Sequence, residues 1–543
     1  RQVTLGELEA DELVAVHRRL AEAFELLGGD SESLADHWER AGERVRAAHY
    51  AERAAYQASN SLAFERAVGL FRKTIALFGA VETADPAELA ELAERINELE
   101  LGLADQLINV GRGREAAQLL LGLADRASEP DLAREFRRRG ADQLIKTGYV
   151  DEGLVELDRL LQSVGLSLPK GQAGALGALV WEQSRVMLRG RKFTQRAAKD
   201  IDPAVLDRID TCFAVVNGLS TQEIVLSAIF HFRNLRYSLD AGEPHRVARA
   251  LAYQCVVDVA GRKWDNVEDQ LTCARSLAAQ LGDAQLSGFI DLCEASLHWF
   301  ERRFTVSAQL HRKVIDTLEG VAGANWQRRT AQDHHFWTLV CQGRFDECRR
   351  LSRDYLERAR ERSDMQEVIE ISGMFACALT YAGEVDEAKR VLAEGRATWN
   401  PGRYLFGDVW AFYAECRLLL IEAKPLEALA LTERTQAAMK QTFLDQHLLA
   451  KHNVLELRAR SQVHAGLAGL GRGYLRKAQR DAETMRKQGN PVLLAQAAVV
   501  EAAVASARDD RELARLRWQE AADLFRANQM ESYLAAVESR LAA

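Results

Sequence analysis

The chain has 543 residues, of which 48% are hydrophobic and 28% are charged, so it can bury a large core and is not a disordered polymer. Its 71 lysines and arginines against 79 acidic residues give a net charge of −8, which disfavours a predominantly nucleic-acid-binding surface because such a surface needs a positive field. Only eight prolines and 7% aromatic residues, with leucine, alanine, glutamate and arginine throughout, indicate a helical protein.

A short turn motif recurs along the chain and predicts helical hairpins. A small residue and a tetrapeptide precede a second small residue that opens a new helix, and successive copies begin at 262, 302, 343, 383 and 423, which are 40, 41, 40 and 40 residues apart. Twelve residues before the closing small residue lies another one, as in Ala376 and Ala388, which lets two antiparallel helices approach closely. Each unit is therefore predicted as a helix, a tight turn and a second helix, whose apolar stripe is buried when neighbours stack on it.

This spacing predicts an all-α superhelical solenoid of about a dozen antiparallel helix pairs, with units of about 40 residues. In chain order we expect four segments. These are a helical segment at 1–80, helical repeats at 81–164, an irregular basic junction at 165–205, and further helical repeats at 206–543. A glycine-rich stretch at 165–177 interrupts the repeats and marks the junction.

The cysteines and the hydropathy of the chain indicate a compartment. Eight scattered cysteines without a C-x-x-C pair favour a reduced, cytoplasmic protein in which they act as small apolar core residues. No apolar run approaches the about 18 residues of a membrane span, and the N-terminus lacks a secretory signal. The chain begins at Arg1 without a methionine, so we interpret it as a piece of a longer protein.

The sequence contains no recognisable catalytic or metal-binding motif. The dipeptide Gly-Lys never occurs, which excludes a phosphate loop, and neither a His-Arg-Asp catalytic loop nor Asp-Phe-Gly is present. His334 and His335 are adjacent, which on a helix points their rings about 100° apart and suits a shared metal poorly. We therefore expect no enzyme activity, no cofactor and no metal. Asp333, His334 and His335 are the one cluster that would suit an unfamiliar active site.

Two charged stretches are candidate surfaces. Residues 82–105 carry eight acids against Arg95, which favours a solvated helix face. Six positive charges without an acid lie at 185–199, and they indicate either a solvated joint between two repeat stacks or a docking site for an acidic protein or a phosphate-bearing ligand. These junction candidates are Arg185, Arg189, Arg191, Lys192, Arg196 and Lys199.

Aromatic and charged residues on the first helix of each unit are candidates for the concave face. In the register of a helical-repeat protein they face the groove, where large aromatics beside charges act as anchors for a partner, although the same residues could fill gaps between repeat layers. They are Trp299, Phe300, Asp333, Trp337, Glu370, Tyr381, Trp410, Tyr413 and Arg417.

The repeat architecture resembles the tetratricopeptide repeat, or its longer variant in bacterial signal-transducing ATPases, over about four-fifths of the chain. Residues 32–42, 47–55 and 64–72 look like the segment that follows the ATPase module of large bacterial regulators. Residues 189–249 are similar to the helical C-terminal half of serine/threonine kinase–ATPase fusions, which are common in myxobacteria. The resemblance implies that a kinase domain and a nucleotide-binding switch domain precede this chain.

Together these patterns predict a non-catalytic interaction or sensor scaffold, the regulatory arm of a signalling kinase–ATPase. Its expected partner is a protein or peptide on the concave face, its own upstream domains, or both, with no nucleic acid and no membrane. A small-molecule inducer sensor within the solenoid is the first alternative, and an enzyme with an unrecognised site is the second.

Overall fold

The structure is a computed structural model that forms two compact units, one ending at Leu144 and one beginning at Ile145. It describes residues 10–220, 223–260, 263, 265–321, 324–361, 364–399, 402–471 and 473–542. The predicted turn position 262 and the first nine residues of the predicted segment 1–80 lie outside the described residues.

The described residues form twenty-six α-helices and contain no strand, which confirms the prediction of an all-α helical-repeat solenoid. The helices are α1 (Ala10–Leu26), α2 (Ser31–Arg40), α3 (Arg44–Asn60), α4 (Phe64–Gly79), α5 (Pro86–Asn109), α6 (Gly113–Arg126), α7 (Pro130–Lys146), α8 (Val150–Ser163), α9 (Gly171–Arg189), α10 (Pro203–Leu219), α11 (Ile224–Ala241), α12 (Pro244–Ala260), α13 (Val267–Leu281), α14 (Ala284–Phe300), α15 (Phe304–Thr317), α16 (Asn325–Gln342), α17 (Phe345–Glu361), α18 (Met365–Tyr381), α19 (Val385–Thr398), α20 (Phe406–Ile421), α21 (Pro425–Gln441), α22 (Leu448–Leu467), α23 (Gly473–Lys487), α24 (Pro491–Ser506), α25 (Arg511–Ala527) and α26 (Glu531–Ala542).

The recurring turn motif ends one helix and starts the next. Gly343 follows α16 with φ 74°, and the next amide, of Arg344, donates to the carbonyl of Leu339 at 2.9 Å, which satisfies a carbonyl at the helix end. Ala423 takes the equivalent place after α20 with φ 57°, in the left-handed region that glycine adopts more easily. The first small residue of the motif is therefore set by backbone geometry.

The paired small residues sit where two helices of one hairpin meet. Ser307 on α15 donates a hydrogen bond from Oγ to the carbonyl of Ala295 on α14 at 3.0 Å, which puts the two predicted partners in contact. Ala376 and Ala388 are both fully buried. Small side chains at these heights let the helix backbones come close, as the spacing predicts.

The first unit has a core made largely of alanine. Ala47, Ala51 and Ala55 on α3 are completely buried, and the larger side chains Trp38 and Phe71 pack in the same cluster. Alanine combines a high helix propensity with a small side chain, so it allows helices to pack closely without gaps.

In the second unit, the first helices of successive hairpins lie side by side, and we call them the inner helices: α12, α14, α16, α18, α20, α22 and α24. Neighbours α18 and α20 are in direct backbone contact, because a Cβ on Gly373 would lie 2.6 Å from the carbonyl carbon of Trp410. Helix α16, by contrast, touches α14 and α18 much less than α12 touches α14 or α18 touches α20. The inner helices therefore separate around α16.

The segment 165–205 contains one long helix, α9, and a non-helical stretch that ends in a short 3-10 turn at Ala198–Asp200. Glu182 on α9 is buried and accepts a hydrogen bond from Arg233 on α11 at 2.8 Å, which attaches α9 to the array. After α9, the amide of Arg196 donates to the carbonyl of Gly242 at 3.0 Å.

Candidate functional site

A partly enclosed cavity of about 380 Å³ lies in the second unit where the inner helices separate. Its walls come from α14, α16 and α18, with contributions from α10, α11 and α12 and from the start of α22. Gln446, beside α22, is an exposed residue of the lining. A volume of this size falls in the range of small-molecule and peptide side-chain pockets.

One complete face of α16 forms a wall of the cavity. The lining residues recur at intervals of three and four, which is the spacing that places side chains on one side of a helix. They are Trp326, Arg329, Thr330, Asp333, His334 and Trp337.

The facing wall from α14 is mainly apolar and aromatic. Trp299 and Trp337 approach with ring centroids 6.3 Å apart, and Trp299 and Phe300 meet edge to face at 5.3 Å. Phe289, Leu292 and further residues of the same helix face continue this wall. The cavity therefore has one aromatic side and one side that carries charges.

Four carboxylates line the cavity, and one of them has a strong partner. Arg329 pairs with Asp364 at 2.6 Å, and the two side chains are 12% and 1% exposed. Asp364 also accepts the amide of Glu367 at 3.0 Å, which caps the start of α18. Burial raises the pKa of Asp333 well above its usual value, and the charges of Glu367 and Glu370 raise it further.

Glu370 and Asp333 are the carboxylates with the fewest contacts. Burial raises the pKa of Glu370 to about 8, with a contribution from the charges of Asp364 and Glu367, while a hydrogen bond from Gln366 at 2.9 Å opposes the shift. Asp333 makes no hydrogen bond or ion pair with any described residue. An empty cavity therefore favours the neutral forms of both groups.

Two histidines at the cavity are neutral at physiological pH. Burial lowers the pKa of His334 to about 4 and that of His447 to about 3, where the positive charge of Arg302 adds to the effect. They provide hydrogen-bonding imidazole groups and no positive charge to balance the carboxylates.

The nine predicted concave residues fall into two neighbouring places. Trp299, Phe300, Asp333, Trp337 and Glu370 line the cavity. The other four form an aromatic cluster beside it, in which the guanidinium of Arg417 lies over the ring of Tyr381 at 4.5 Å; they are Tyr381, Trp410, Tyr413 and Arg417.

This aromatic cluster is packed rather than open. Trp410 and Tyr413 are 1% and 5% exposed and line a second cavity of only about 30 Å³, which has space for a water molecule or two. Tyr533 of α26 lies over it, 5.9 Å from the ring of Tyr381. The C-terminal helix thus covers the surface on which sequence reasoning places an open groove.

The predicted basic junction is partly paired within the fold. Arg189 forms an ion pair with Asp240 at 2.7 Å, Arg191 reaches Asp258 at 3.4 Å, and Arg185 lies 3.7 Å from Glu182. Arg196 donates to the carbonyl of Asp200 at 2.5 Å. The remaining junction candidates are Lys192 and Lys199.

Asp333, His334 and His335 do not converge on one point. His334 lines the cavity, whereas His335 is buried outside the lining. Ser296 lies 3.4 Å from His334 but donates its hydroxyl to the carbonyl of Leu292 at 2.9 Å. Among the residues that the structure describes, no cluster of three or more His, Cys, Asp or Glu side chains could hold a metal ion.

Across the described ranges, every helix is too short or too polar to cross a bilayer.

Several lining residues are absent from the sequence prediction. Trp326, Arg329 and Thr330 extend the same face of α16 as Asp333, so their three- and four-residue spacing is a signal that could identify them. Lys146 and Tyr253 come from α7 and α12, and only the packing of distant helices brings them to the cavity.

Comparisons with known proteins find similarity in structure alone. No family model matches the chain, and no curated protein matches it in sequence. A Rap protein complexed with Competence and Sporulation Factor superposes with a TM-score of 0.39 at 12% identity, over 75% of this chain and 98% of that one. The Cut9–Hcn1 hetero-tetramer of APC/C gives 0.36 at 15% identity over 90% and 86%, and yeast Tom70 gives 0.31 at 11% over 92% and 97%. At these values none of them identifies a ligand for this chain.

Proposed function

We propose that this chain is a non-catalytic recognition scaffold that takes a small ligand, or one part of a peptide, into the cavity between α14, α16 and α18. The observation that carries the proposal is the face of α16, which places Arg329, Asp333 and His334 along one wall. In a repeat array an inner helix is stabilised by apolar packing, and buried ionisable groups oppose folding unless they are paired. The presence of such groups beside an open volume supports a binding role.

The size of the cavity favours a small guest over a folded partner. About 380 Å³ accommodates a small molecule or a few side chains, whereas a stable protein–protein interface needs a far larger contact area. Five of the nine predicted contact residues line this volume, which supports the groove hypothesis in a narrower form, with the ligand held inside the solenoid.

The test uses the full chain and a substitution that fills the cavity. Thr330→Trp places an indole in the cavity, and Asp386→Trp at an exposed position of α19 is the matched control. The probes are hexapeptides with a central arginine, citrulline or glutamate, the free amines agmatine and spermidine, and the neutral sugars glucose and maltose. We expect at least one probe to raise the Tm of the wild type and of Asp386→Trp, but not that of Thr330→Trp. If every probe acts alike on all three proteins, the cavity is not a binding site.

A second candidate surface lies on α9, where large apolar side chains face solvent. Val180 and Trp181 are each 64% exposed, and Met187 and Leu188 are 73% and 89% exposed. Val180 and Met187 are seven residues apart, as are Trp181 and Leu188, so the two pairs lie on adjoining faces of the helix where the positive junction at 185–199 begins. We propose that this surface, which we call the α9 apolar face, docks an acidic amphipathic helix of a partner protein.

A designed 20-residue helix with leucine on one face and glutamate on the other tests this surface. We expect binding to the wild type, loss in Trp181→Ser/Leu188→Ser, and retention in Leu426→Ser, which changes another exposed leucine. Equal binding of a lysine version of the same helix would reject the acidic partner.

We infer further that the scaffold is the cytoplasmic regulatory arm of a signalling kinase–ATPase. The resemblance of residues 32–72 and 189–249 to such regulators supports this role. A ligand that binds more tightly to one spacing of the inner helices would then change the orientation of the attached domains. Kinase and phosphate-loop motifs in the coding sequence upstream of Arg1 are expected, and an unrelated upstream sequence would refute the assignment.

A further inference from the structure

We propose that the cavity binds an organic cation, an ammonium or guanidinium group carried on an apolar stem. The proposal rests on the proposed function, since it requires that the cavity takes a ligand, and it adds the chemical class of that ligand.

The acidic groups that line the cavity outnumber its permanent cations. Four carboxyl groups face Arg329 and Lys146, so the empty cavity keeps two of the acids neutral, and ionisation of all four would leave two negative charges in excess; the acids are Asp333, Asp364, Glu367 and Glu370. The histidines of the lining are neutral, as described above, and supply no further positive charge. A positively charged guest would correct the imbalance, and an anionic guest would increase it.

Both resident cations already have partners within the protein. Arg329 pairs with Asp364 at 2.6 Å and also donates to the carbonyl of Lys146 at 3.5 Å. The ammonium of Lys146 lies over the ring of Trp326, 4.7 Å from its centroid. These cations therefore offer little to an incoming phosphate or carboxylate.

Two carboxylates have unused acceptor oxygens. Glu370 is only 4% exposed and accepts one hydrogen bond, at Oε1 from Gln366, while its Oε2 has no donor among the described residues. Asp333 accepts none from them. Carboxylate oxygens that are buried, unpaired and next to an open volume suit the N–H donors of an ammonium or guanidinium group.

The aromatic wall completes the site for a cation with an apolar stem. Trp299 and Trp337 stand beside the carboxylate side, with Phe300 and Tyr253 in the same lining. The faces of aromatic rings attract cations when water is excluded, and their area covers an aliphatic stem. The site thus combines charge neutralisation on α16 and α18 with apolar contact on α14.

The test compares arginine with citrulline, which has the same shape and no charge. Two hexapeptides that differ only at this central residue are titrated against the full chain by calorimetry, together with free agmatine and spermidine. We expect the arginine peptide or a free amine to bind at least about tenfold more tightly than the citrulline peptide, because a charged hydrogen bond exceeds a neutral one by about 1.4 kcal/mol or more. Binding of the peptide alone identifies a basic peptide as the source of the cation, and binding of the amines alone identifies a free amine.

Two variants locate the effect. Asp333→Asn and Glu370→Gln keep the shape of each side chain and remove its charge, and Asp386→Asn on the surface is the control. We expect cation binding to weaken about tenfold or more in the first two and not in the third, whereas the Tm of the unliganded Asp333→Asn protein stays the same or rises, since the ionisable group that burial disfavours is replaced by a neutral amide.

The outcomes separate the two proposals. The arginine and citrulline peptides could bind equally well, with Thr330→Trp still blocking both. This result would overturn the proposal that the ligand is a cation and would leave the ligand-binding function standing. Unchanged cation binding in both Asp333→Asn and Glu370→Gln would also overturn it. If Thr330→Trp abolishes the binding of none of the probes, the proposed function itself is overturned.

Discussion

The two units handle charge in different ways. In the first unit the ion pairs have at least one exposed partner, as in Arg66 and Glu32, whose side chains are 64% and 39% exposed, or in Arg95 and the buried Glu52. In the second unit Arg329 and Asp364 form a pair whose side chains are 12% and 1% exposed. The first unit buries alanine between its helices, and the second places ionisable groups beside an open volume.

This difference shows what a departure from regular packing makes possible. A repeat array that stacks small side chains closely leaves no room for a guest and has no reason to bury charge. Around α16 the neighbouring helices separate, and the face of that helix toward the cavity carries Arg329, Asp333 and His334. The recognition chemistry that we propose therefore belongs to the irregular repeat around α16 and not to the repeat architecture in general.

The largest expected effect comes from opening a hole in the close-packed unit. Phe71 is completely buried, and a Cβ on Gly102 would lie 2.8 Å from its ring. Phe71→Ala is expected to lower the local free energy of unfolding by about 3–5 kcal/mol. Hydrogen exchange measured by mass spectrometry on the full chain reports each unit separately. Phe300→Ala, at the wall of the existing cavity, should destabilise its unit less, and an equal loss would contradict the contrast in packing.

A smaller effect is expected from removing one charge of the deep ion pair. Asp364→Asn keeps an oxygen that can cap α18 but leaves Arg329 without its partner at 2.6 Å. The second unit should lose about 1.5–3 kcal/mol, because the buried charge of Arg329 is left without its ion-pair partner. Urea unfolding followed by hydrogen exchange measures it, with Asp386→Asn as the surface control. A loss no larger than that of the control would show that the pair is not buried in solution.

The pH dependence of stability should differ between the units. Glu370, with a pKa raised to about 8, stabilises the folded state fully below its unfolded pKa of about 4.5 and loses that contribution as the pH rises to 8. His334, with a pKa lowered to about 4, contributes fully above its unfolded pKa of about 6.5 and loses this as the pH falls. Between pH 6.5 and 8, of these two groups only Glu370 changes its contribution. The second unit should therefore become less stable as the pH rises through this interval.

In the first unit, Asp30 has a lowered pKa because it accepts hydrogen bonds from Ser33, so its contribution is lost only in acid. Hydrogen exchange at pH 6.5 and 8, corrected for the intrinsic exchange rate, distinguishes the units. Glu370→Gln should reduce the loss in the second unit. If the stability of the first unit falls as much as that of the second between pH 6.5 and 8, the predicted difference between the units is wrong.

The smallest effect is expected at the surface of the first unit. Arg66→Ala removes the exposed pair with Glu32 and should change the free energy of unfolding by no more than about 0.5 kcal/mol. Denaturant titration at low and high salt measures this change. A loss comparable to that of Asp364→Asn would mean that exposure does not set the strength of these pairs.

The hairpins were predictable because their signals are local. The left-handed residue at Gly343 or Ala423 and the small residues twelve apart are fixed by one turn and by one helix contact. The divergence of His334 and His335 was predictable for the same reason. Adjacent positions on a helix point their rings in different directions, so that one ring lines the cavity and the other does not.

The cavity depends on packing between distant residues and is harder to predict. Arg329 and Asp364 meet across two helices, and nothing in the local sequence specifies how far α16 stands from α14 and α18. Trp410 and Tyr413 have the spacing of groove residues, but Tyr533 of the last helix packs beside them. Periodicity identifies the face of a helix and does not identify what covers it.

The backbone contact at Gly373 has a mechanical consequence. Because no side chain separates α18 from α20 at this point, we expect these two helices to move together, while α16 touches its neighbours less closely. A ligand in the proposed site would lie between α16 and this pair, so we expect its binding to displace α18 and α20 together. A larger residue at Gly373 would push α18 and α20 apart and uncouple their movement, without changing a residue of the cavity lining.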